Sequence, residues 1–332
     1  MKTFKLNEEN YYSAEADMEY MSCSQYQAFC DCEAKKLAEL QGRWKSKPSE
    51  AFLVGNFFHS YFEGKEAHAK FCEDNLESIY TSASIKKYQN AKETKELSDA
   101  QGLKNNIVPE DFLILRSPYE KAVEMIATVE KDPLMQRFLN MDGKNEMYMT
   151  GEIFGTKWRM KMDKYVPDIR FIIDYKTVAN IWETSYNPIK RERETFVDAY
   201  GYMFRAAVYS MIEVQNTLNL SFDDAYKQLK NGELDVANFF LLCVSKQEHP
   251  DKEVLRLNNL NEYLYNLDRI KDKQHRFNMI KAGRMLPRRC GKCDYCRATK
   301  VLKEIRPYYE IMPEFRTESE EDYNAVKGLV TA

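Results

Sequence analysis

Two aspartates and a lysine in the middle of the chain have the residue types and the spacing of a hydrolytic centre. Ten residues separate Asp163 from Asp174, and Lys176 lies two positions further on. Alternate side chains of a strand point to the same face, so Asp174 and Lys176 would project together. Carboxylate and carbonyl oxygens, here including the carbonyl of Tyr175, are the ligands that Mg²⁺ prefers. The spacing predicts metal-dependent phosphodiester hydrolysis, with Lys176 orienting the water and stabilising charge on the phosphate.

Two predicted strands must bring these residues together. Apolar and charged residues alternate with period two over 146–165, with a hairpin turn at Gly155-Thr156. The next strand covers Phe171–Thr177, after a short turn at 166–168. This turn would fold Asp163 back beside Asp174.

A surface hairpin carrying a salt bridge between Asp174 and Lys176 is the alternative interpretation. An apolar run, Phe171-Ile172-Ile173, leads straight into the charged end of the strand. Charged groups at the end of a buried strand are costly unless they are used, which favours the hydrolytic centre. Glu152 is a weaker candidate for the same site, with a solvated strand end as an equal alternative.

Two predicted helices carry further candidates. Within 50–71, Gly55, His59 and Glu63 recur every four residues and share one helix face. By itself this pattern favours a core or capping histidine over a metal ligand. A second, amphipathic helix is predicted over 194–215. Its apolar stripe consists of Phe196, Tyr200, Met203, Ala207, Met211 and Val214, and its opposite face carries Tyr202, Arg205 and Tyr209.

Three of the eight cysteines form a cluster near the C-terminus. Cys290, Cys293 and Cys296 give two overlapping Cys-x2-Cys spacings. A disulfide framework is not expected in a reducing compartment, and thiolates are soft ligands suited to zinc or an iron–sulfur cluster. A closed metal site requires a fourth ligand.

The overall composition is that of a soluble globular protein. The chain has 332 residues, of which 44% are hydrophobic and 30% charged, with a net charge of −3. Its longest apolar run, Phe239–Val244, is far shorter than the roughly 20 residues that span a bilayer. No apolar leader segment begins the chain, so we expect a cytoplasmic protein without membrane contact. The net negative charge is mild evidence against nucleic-acid binding, but it is compatible with a local basic channel.

Four segments with these motifs bracket most of the chain: Gly55–Glu63, with Gly-x3-His-x3-Glu; Trp158–Tyr165, with the first aspartate; Ile172–Thr177, with Asp-x-Lys; and Tyr202–Tyr209 in the following helix. Together they resemble the PD-(D/E)XK nuclease superfamily, in particular the RecE exonucleases (exodeoxyribonuclease VIII) and the RecB and AddB nuclease domains. The resemblance implies an α/β fold of the restriction-endonuclease type, with a central mixed sheet flanked by helices, an N-terminal helical region and a C-terminal cysteine-rich segment.

The resemblance also implies roles for individual residues. His59 would join Asp163, Asp174 and the Tyr175 carbonyl in binding Mg²⁺ or Mn²⁺. The residues that would contact DNA near the scissile phosphate are Tyr202, Arg205 and Tyr209, although core packing explains Tyr209 equally well. Members of this branch usually carry glutamine where this chain has Arg205, and a guanidinium binds phosphate well.

Related nucleases hold a [4Fe-4S] cluster with one N-terminal and three C-terminal cysteines. The predicted helix over Ser24–Leu37, capped by Ser24, resembles their N-terminal helix and makes Cys32 the fourth ligand. Glu33 stands where those relatives carry proline, and Cys296 follows Cys293 more closely than in them. A zinc site, or no metal, therefore remains open.

We expect a single nuclease domain over 1–312 and an acidic tail over 313–332. The domain would have a mainly helical part (1–140), a catalytic sheet and helix (146–245), and a C-terminal helix with the cysteine cluster (258–312). The expected function is RecE-like resection of linear double-stranded DNA for recombination by single-strand annealing. An annealing protein would be a partner, and homo-oligomers are consistent with the sequence. The alternatives are a single-strand nuclease of the CRISPR-adaptation or AddB type with an iron–sulfur cluster, and a non-catalytic zinc-stapled DNA-binding protein.

Overall fold

The structure is a computed structural model that describes residues 6–102, 105–187 and 191–302. The helices are α1 (Ala14–Glu19), α2 (Cys23–Asp31), α3 (Glu33–Leu40), α4 (Glu50–Glu63), α5 (Lys65–Asp74), α6 (Leu76–Ile79), α7 (Ser82–Ala100), α8 (Ser117–Lys131), α9 (Pro133–Leu139), α10 (Phe196–Ala199), α11 (Tyr202–Thr217), α12 (Phe222–Lys230), α13 (Leu260–Lys281) and α14 (Asp294–Ala298). The strands are β1 (Lys144–Ile153), β2 (Thr156–Val166), β3 (Phe171–Val178), β4 (Ser185–Asn187), β5 (Glu192–Glu194), β6 (Asn238–Ser245) and β7 (Lys252–Arg256).

The chain divides into two compact units, Met1–Arg288 and Arg289–Ala332. The first contains the sheet and most helices; the second contributes the short helix α14 to the described residues. The predicted acidic tail, 313–332, lies outside the described residues. In the part of the chain that the structure describes, no helix has both the length and the apolar character needed to cross a membrane.

A five-stranded mixed sheet forms the centre of the first unit, in the order β1-β2-β3-β6-β7. β1, β2 and β3 are antiparallel neighbours, β3 and β6 are parallel, and β7 returns antiparallel to β6. Since parallel neighbours need a crossover, the chain passes through α10, α11 and α12 between β3 and β6. The predicted central mixed sheet flanked by helices is confirmed.

Each face of the sheet is covered by its own apolar core. One core packs α11 and α13 on the sheet and includes Trp158, Ile172 and Phe277. The other packs α4 and α8 and includes Phe58 and Ile173. Ile172 and Ile173 are adjacent in β3 and serve opposite cores, because successive strand side chains point to opposite faces. Helices on both faces bury β3 and thereby hold its charged end in place.

The hairpin between β1 and β2 turns one residue earlier than the sequence indicates. Ile153 pairs with Thr156, so the turn residues are Phe154 and Gly155. Both have positive φ, 45° and 73°. Positive φ at both turn residues matches the twist of a two-residue hairpin and favours glycine at the second position.

Three predicted helices are interrupted, and each interruption has a local cause. The helix over 24–37 begins after Ser22, whose hydroxyl accepts from Gln25 N, and breaks at Cys32. After this break, Ala34 N donates to Arg288 O at 3.0 Å, so a tertiary contact satisfies the new helix start. The helix over 50–71 breaks at Gly64, with φ 150°.

The predicted helix over 194–215 breaks at Gly201, which has a left-handed φ of 67°. Tyr200, assigned to the apolar stripe by its spacing, is 64% exposed because it ends the short helix α10 rather than facing the sheet. The rest of the stripe, from Met203 onward, packs against the core as predicted.

Candidate active site

The end of the ladder between β2 and β3 creates the space for the reaction centre. The last residue pair of this ladder is Lys164↔Ile173, so Asp163 and Asp174, the next residues on the two strands, are not paired in it. There the backbone N–H of Tyr175 donates to Asp163 Oδ2 at 2.7 Å. The carboxylate thus replaces the missing strand partner, and this contact fixes Asp163 beside the Asp174 segment.

Lys176 marks the point on which the oxygen ligands converge. Its Nζ lies 2.6 Å from Asp174 Oδ2, 3.7 Å from Asp163 Oδ2 and 2.7 Å from the carbonyl oxygen of Tyr175. Three oxygens of the kinds that hard cations bind therefore surround one cationic nitrogen. The structure thus brings Asp163, Asp174 and the Tyr175 carbonyl together around one position that a cation occupies.

His59 approaches Asp163 from helix α4. Its Nδ1 lies 3.3 Å from Asp163 Oδ2. Gly55 lies one turn earlier on this helix, and a Cβ there would be 3.7 Å from Thr177 Oγ1, so the helix runs close against β3. Burial lowers the pKa of His59, although Asp163 opposes the shift. Burial thus favours the neutral imidazole, which is the form that binds metal.

Arg205, on α11, contacts the other oxygen of the Asp174 carboxylate. Its NH1 donates to Asp174 Oδ1 at 2.9 Å. Asp174 is only 1% exposed, and burial alone would raise the pKa of its carboxyl. The neighbouring Lys176 and Arg205 more than offset this and hold the pKa below its ordinary value. Asp174 therefore stays ionised in spite of its burial.

The two tyrosines predicted to contact DNA have different environments. Tyr202 is half-buried, with its ring centroid 6.0 Å from Lys176 Nζ and 5.9 Å from Arg205 Cζ. Tyr209 is buried, and its hydroxyl donates to the carbonyl oxygen of Lys161 at 3.0 Å. Tyr209 thus supports β2 in this structure, and a contact of its own with DNA stays a prediction.

The structure places Glu152 away from the centre and puts Glu146 beside it. Glu152 pairs with Lys157, six residues along β2 from Asp163, which corresponds to about 20 Å of strand. Glu146 lies opposite Asp163, between the pairs Asn145↔Lys164 and Met147↔Met162. The weaker candidate, Glu152, is therefore not part of the centre, because the hairpin register carries it to the far end of the strands.

Glu146 has two properties typical of a functional position. It has a left-handed φ of 52°, a conformation that costs energy in residues other than glycine. Burial raises the pKa of its carboxyl, and Asp163 and Glu63 add to the shift, while an ion pair with Lys161 opposes it. Counting the hairpin pairs outward from the observed turn at Phe154-Gly155 leads to Glu146, whereas the predicted turn at Gly155-Thr156 would have led to Tyr148.

These groups line a cleft of about 890 Å³. Its walls mix acidic and basic side chains: His59, Glu63, Glu146, Lys161, Asp163, Lys176 and Arg205. Carboxylates that could bind a metal ion and basic groups that could bind phosphate therefore line the same cleft. Such a lining suits a phosphate backbone beside a metal site.

Comparison with known families identifies the fold and the motif. Residues 22–299 match the family described as a PDDEXK-like domain of unknown function (DUF3799). The chain belongs to this family. Its fold is therefore of the restriction-endonuclease type, and it is a member of the PD-(D/E)XK nuclease superfamily.

A solved structure supports the membership of this PDDEXK-like protein. The crystal structure of a "putative exonuclease" from Eubacterium rectale is similar over 93% of this chain and 99% of that chain, with a TM-score of 0.73 and 30% identity. Among curated proteins, no significant sequence match was found.

The second unit of the PDDEXK-like protein contains three of the predicted soft ligands. The sulfurs of Cys290, Cys293 and Cys296 lie within 4.8 Å of one another, with Cys290 and Cys296 at 4.0 Å. The backbone N–H groups of Cys293 and Cys296 point to the sulfurs of Cys290 and Cys293, both at 3.4 Å. N–H donors stabilise thiolates, so the arrangement suits a metal ligand set. Cys32 is buried in the first unit.

Proposed function

We propose that this protein is a Mg²⁺-dependent deoxyribonuclease, also active with Mn²⁺, that degrades linear double-stranded DNA from its ends in the manner of RecE. The observation that carries the proposal is the convergence of Asp163, Asp174 and the Tyr175 carbonyl on one cation position, held at present by the ammonium of Lys176. Membership of the PD-(D/E)XK superfamily and the name of the Eubacterium rectale relative support nuclease activity.

The donor set fits a hard divalent cation. The ligands would be Asp163, Asp174, the carbonyl oxygen of Tyr175 and His59, which leaves coordination positions for water and phosphate. A bound divalent cation would polarise the scissile phosphate and lower the pKa of a water molecule.

Side chains of the protein would supply the other contributions to catalysis. The ammonium of Lys176 would orient the water and stabilise charge on the phosphate. Arg205 would bind a phosphate oxygen from the opposite side of Asp174. Tyr209 would keep β2 in register beside both groups through its bond to Lys161.

The size of the cleft favours one DNA strand at the reaction centre. A volume of about 890 Å³ has room for a few nucleotides, which suits one strand of a duplex end. An enzyme that admits one strand of a duplex end leaves the complementary strand intact. This remaining strand would be the substrate of an annealing partner in recombination, which we place in the cytoplasm. A homo-oligomer would allow the enzyme to stay on its DNA.

The cysteine trio would hold a structural metal ion. Four thiolates around one zinc at about 2.3 Å lie about 3.8 Å apart, whereas a four-iron cluster binds each cysteine to a different corner and separates the sulfurs further. The 4.0 Å between Cys290 and Cys296 therefore favours a single ion over [4Fe-4S].

We propose Cys32 as the fourth ligand of this ion. Arg288, which ends the first unit, is hydrogen-bonded through its N–H to Glu33 Oε2 at 2.6 Å and through its carbonyl to Ala34. Cys32 directly precedes Glu33 in the sequence, and the cysteine trio begins with Cys290, two residues after Arg288.

The decisive experiment is the digestion of end-labelled linear duplex, linear single-stranded and circular DNA, with Mg²⁺ and with EDTA. We expect nucleotide release from linear duplex with Mg²⁺ and none from circles or with EDTA. Digestion of single strands with intact duplex would indicate the single-strand nuclease instead. Binding without any cleavage would indicate the non-catalytic protein and overturn the proposal.

A further inference from the structure

A close contact with helix α2 fixes the break between α10 and α11. Gly201 has φ 67°, and a Cβ at this position would lie 2.4 Å from Gln27 Nε2. The same amide group of Gln27, on α2, donates to the carbonyl oxygen of Tyr200 at 3.3 Å. A Cβ at position 201 would displace the Gln27 amide and would require a left-handed backbone, so glycine is favoured here and the sequence Tyr-Gly-Tyr at 200–202 holds a defined kink.

The kink places two tyrosine rings in a row that leads away from the reaction centre. The centroids of Tyr200 and Tyr202 are 6.2 Å apart, and the ring planes are inclined by 46°. Tyr202 is the inner ring, beside the cations of Lys176 and Arg205. Tyr200 is the outer ring and is 64% exposed. An uninterrupted helix would have turned Tyr200 toward the sheet, so the kink is what exposes it.

Folding alone does not account for Tyr200. Tyr202 also packs against Phe196, with centroids 6.0 Å apart, and so contributes to the local core. Tyr200 buries little of its ring and therefore gains little from folding. Two further aromatic residues in the segment after the catalytic strand are exposed, Trp182 at 68% and Tyr186 at 59%. The surface beside the Asp-x-Lys strand is thus rich in aromatic faces.

We propose that Tyr200 is a stacking platform for a base of the DNA strand that occupies the reaction centre, next to Tyr202. The inference rests on the proposed nuclease function. Lys176 and Arg205 would hold a phosphate, and the adjoining bases would lie on the aromatic faces that extend outward from those cations. Single-stranded nucleic acids are bound in this way, by cations along the backbone and aromatic rings under the bases, with little sequence preference. Stacking needs unpaired bases, so this surface would select a single strand.

Binding of oligonucleotides with and without bases tests this directly. Fluorescent single-stranded oligonucleotides, either intact or carrying abasic sites near one end, are titrated in Ca²⁺ in place of Mg²⁺. Wild type is expected to bind the intact strand about 5- to 150-fold more tightly, the range for one stacked base. Tyr200→Ala should lose most of this preference, and Tyr200→Phe should keep it, because stacking needs the ring and not the hydroxyl.

Tyr265 provides the matched control. It is 53% exposed on α13, with Arg269 5.6 Å from its ring, and α13 supplies none of the proposed reaction-centre residues. Tyr265→Ala should bind both oligonucleotides as wild type does. If Tyr200→Ala retains the wild-type preference for intact over abasic strands, the stacking role is wrong. The same holds if wild type has no such preference.

Cleavage assays separate this inference from the proposed function. Stacking predicts that Tyr200→Ala raises KM for single-stranded ends with little change in kcat, since the ring lies beyond the reacting phosphate. A wild-type protein that cleaves DNA but whose Tyr200→Ala variant has an unchanged KM contradicts the stacking inference alone. A wild-type protein that cleaves no DNA contradicts the nuclease proposal, and the abasic comparison still decides the role of Tyr200.

Discussion

Arg205 donates a 2.9 Å hydrogen bond to Asp174 Oδ1, while Lys176 contacts the other oxygen of the same carboxylate. The RecE-, RecB- and AddB-type nucleases that the sequence resembles usually carry glutamine at the position of Arg205. A glutamine can make the same hydrogen bond but adds no charge. The guanidinium therefore places a permanent positive charge next to a carboxylate that is proposed to bind a divalent cation.

We predict that Arg205→Gln strengthens metal binding and weakens catalysis. Removing the positive charge reduces repulsion of the cation, so the affinity for Mn²⁺ should rise about tenfold. The contact with phosphate becomes weaker, so kcat should fall about tenfold or more. Calorimetric titration with Mn²⁺ and steady-state kinetics measure the two effects. An unchanged affinity for Mn²⁺ would show that Arg205 does not act on the metal site.

Asp174→Asn should lower the cleavage rate by at least about 10³-fold. The amide is a poor ligand for a hard cation, and it cannot balance the positive charges of Lys176 and Arg205. Binding of DNA in Ca²⁺, measured by fluorescence anisotropy, should persist, since phosphate-binding cations remain. Circular dichroism checks that the fold is kept. Cleavage within tenfold of wild type would contradict the assignment of Asp174.

His59 and Glu152 form a matched pair, because the sequence makes both candidates for the site and the structure separates them. His59→Ala should raise the Mn²⁺ or Mg²⁺ concentration for half-maximal activity by about tenfold or more, the loss expected for a weakened metal site. Glu152→Ala should leave it unchanged. Equal effects of both substitutions would contradict the placement of the metal site beside α4.

The cysteine cluster predicts a colourless zinc protein. Elemental analysis should find one equivalent of zinc, with no absorption band near about 400 nm of the kind that thiolate-bound iron–sulfur clusters give. Cys293→Ser should lose the metal and lower the melting temperature, because metal-binding free energy contributes to folding. Cys243→Ser, at a buried cysteine of β6, is the control that should keep the metal. A brown protein containing iron would show that the single-ion interpretation is wrong.

A buried ion pair supports the start of β3 and gives a prediction on stability. Glu213 is fully buried on α11, where it accepts from Arg170 Nε at 2.9 Å and NH2 at 2.6 Å and from the hydroxyl of Tyr165 at 2.8 Å. Glu213→Ala leaves these donors without their acceptor and should cost about 3–5 kcal/mol of unfolding free energy. Urea denaturation measures the loss. Glu213→Gln, which keeps one acceptor, should lose less; an equal loss would indicate that packing alone matters.

The strands of the candidate site, β2 and β3, could be predicted from the sequence because their patterns are local. The period of two over 146–165 and the apolar run before Asp174 report directly on burial, and short turns leave few ways to connect neighbouring strands. Asp163, Asp174 and Lys176 were therefore brought together as predicted. Their exact partners were less accessible: the shift of the turn by one residue places Glu146 opposite Asp163, where the predicted turn would have placed Tyr148.

The helix breaks could not be predicted in the same way, because they depend on contacts distant in sequence. Periodicity continues across Gly201, and a single glycine is tolerated within helices. What makes this glycine a break is Gln27, more than 170 positions away in the chain. The break at Cys32 likewise depends on Arg288, which satisfies the new helix start. Such tertiary contacts leave no local pattern.

The parallel pairing of β3 with β6 also governs when the centre can form during synthesis. Asp174 lies opposite Leu241, so the chain must grow by 67 residues beyond Asp174 before this pair can form. Contacts so distant in sequence form slowly, because a long loop must close first. A nascent chain therefore carries Asp163 and Asp174 well before it can bury them. A shortened chain ending before 238 would lack β6 and would expose β3 as an edge strand prone to aggregation.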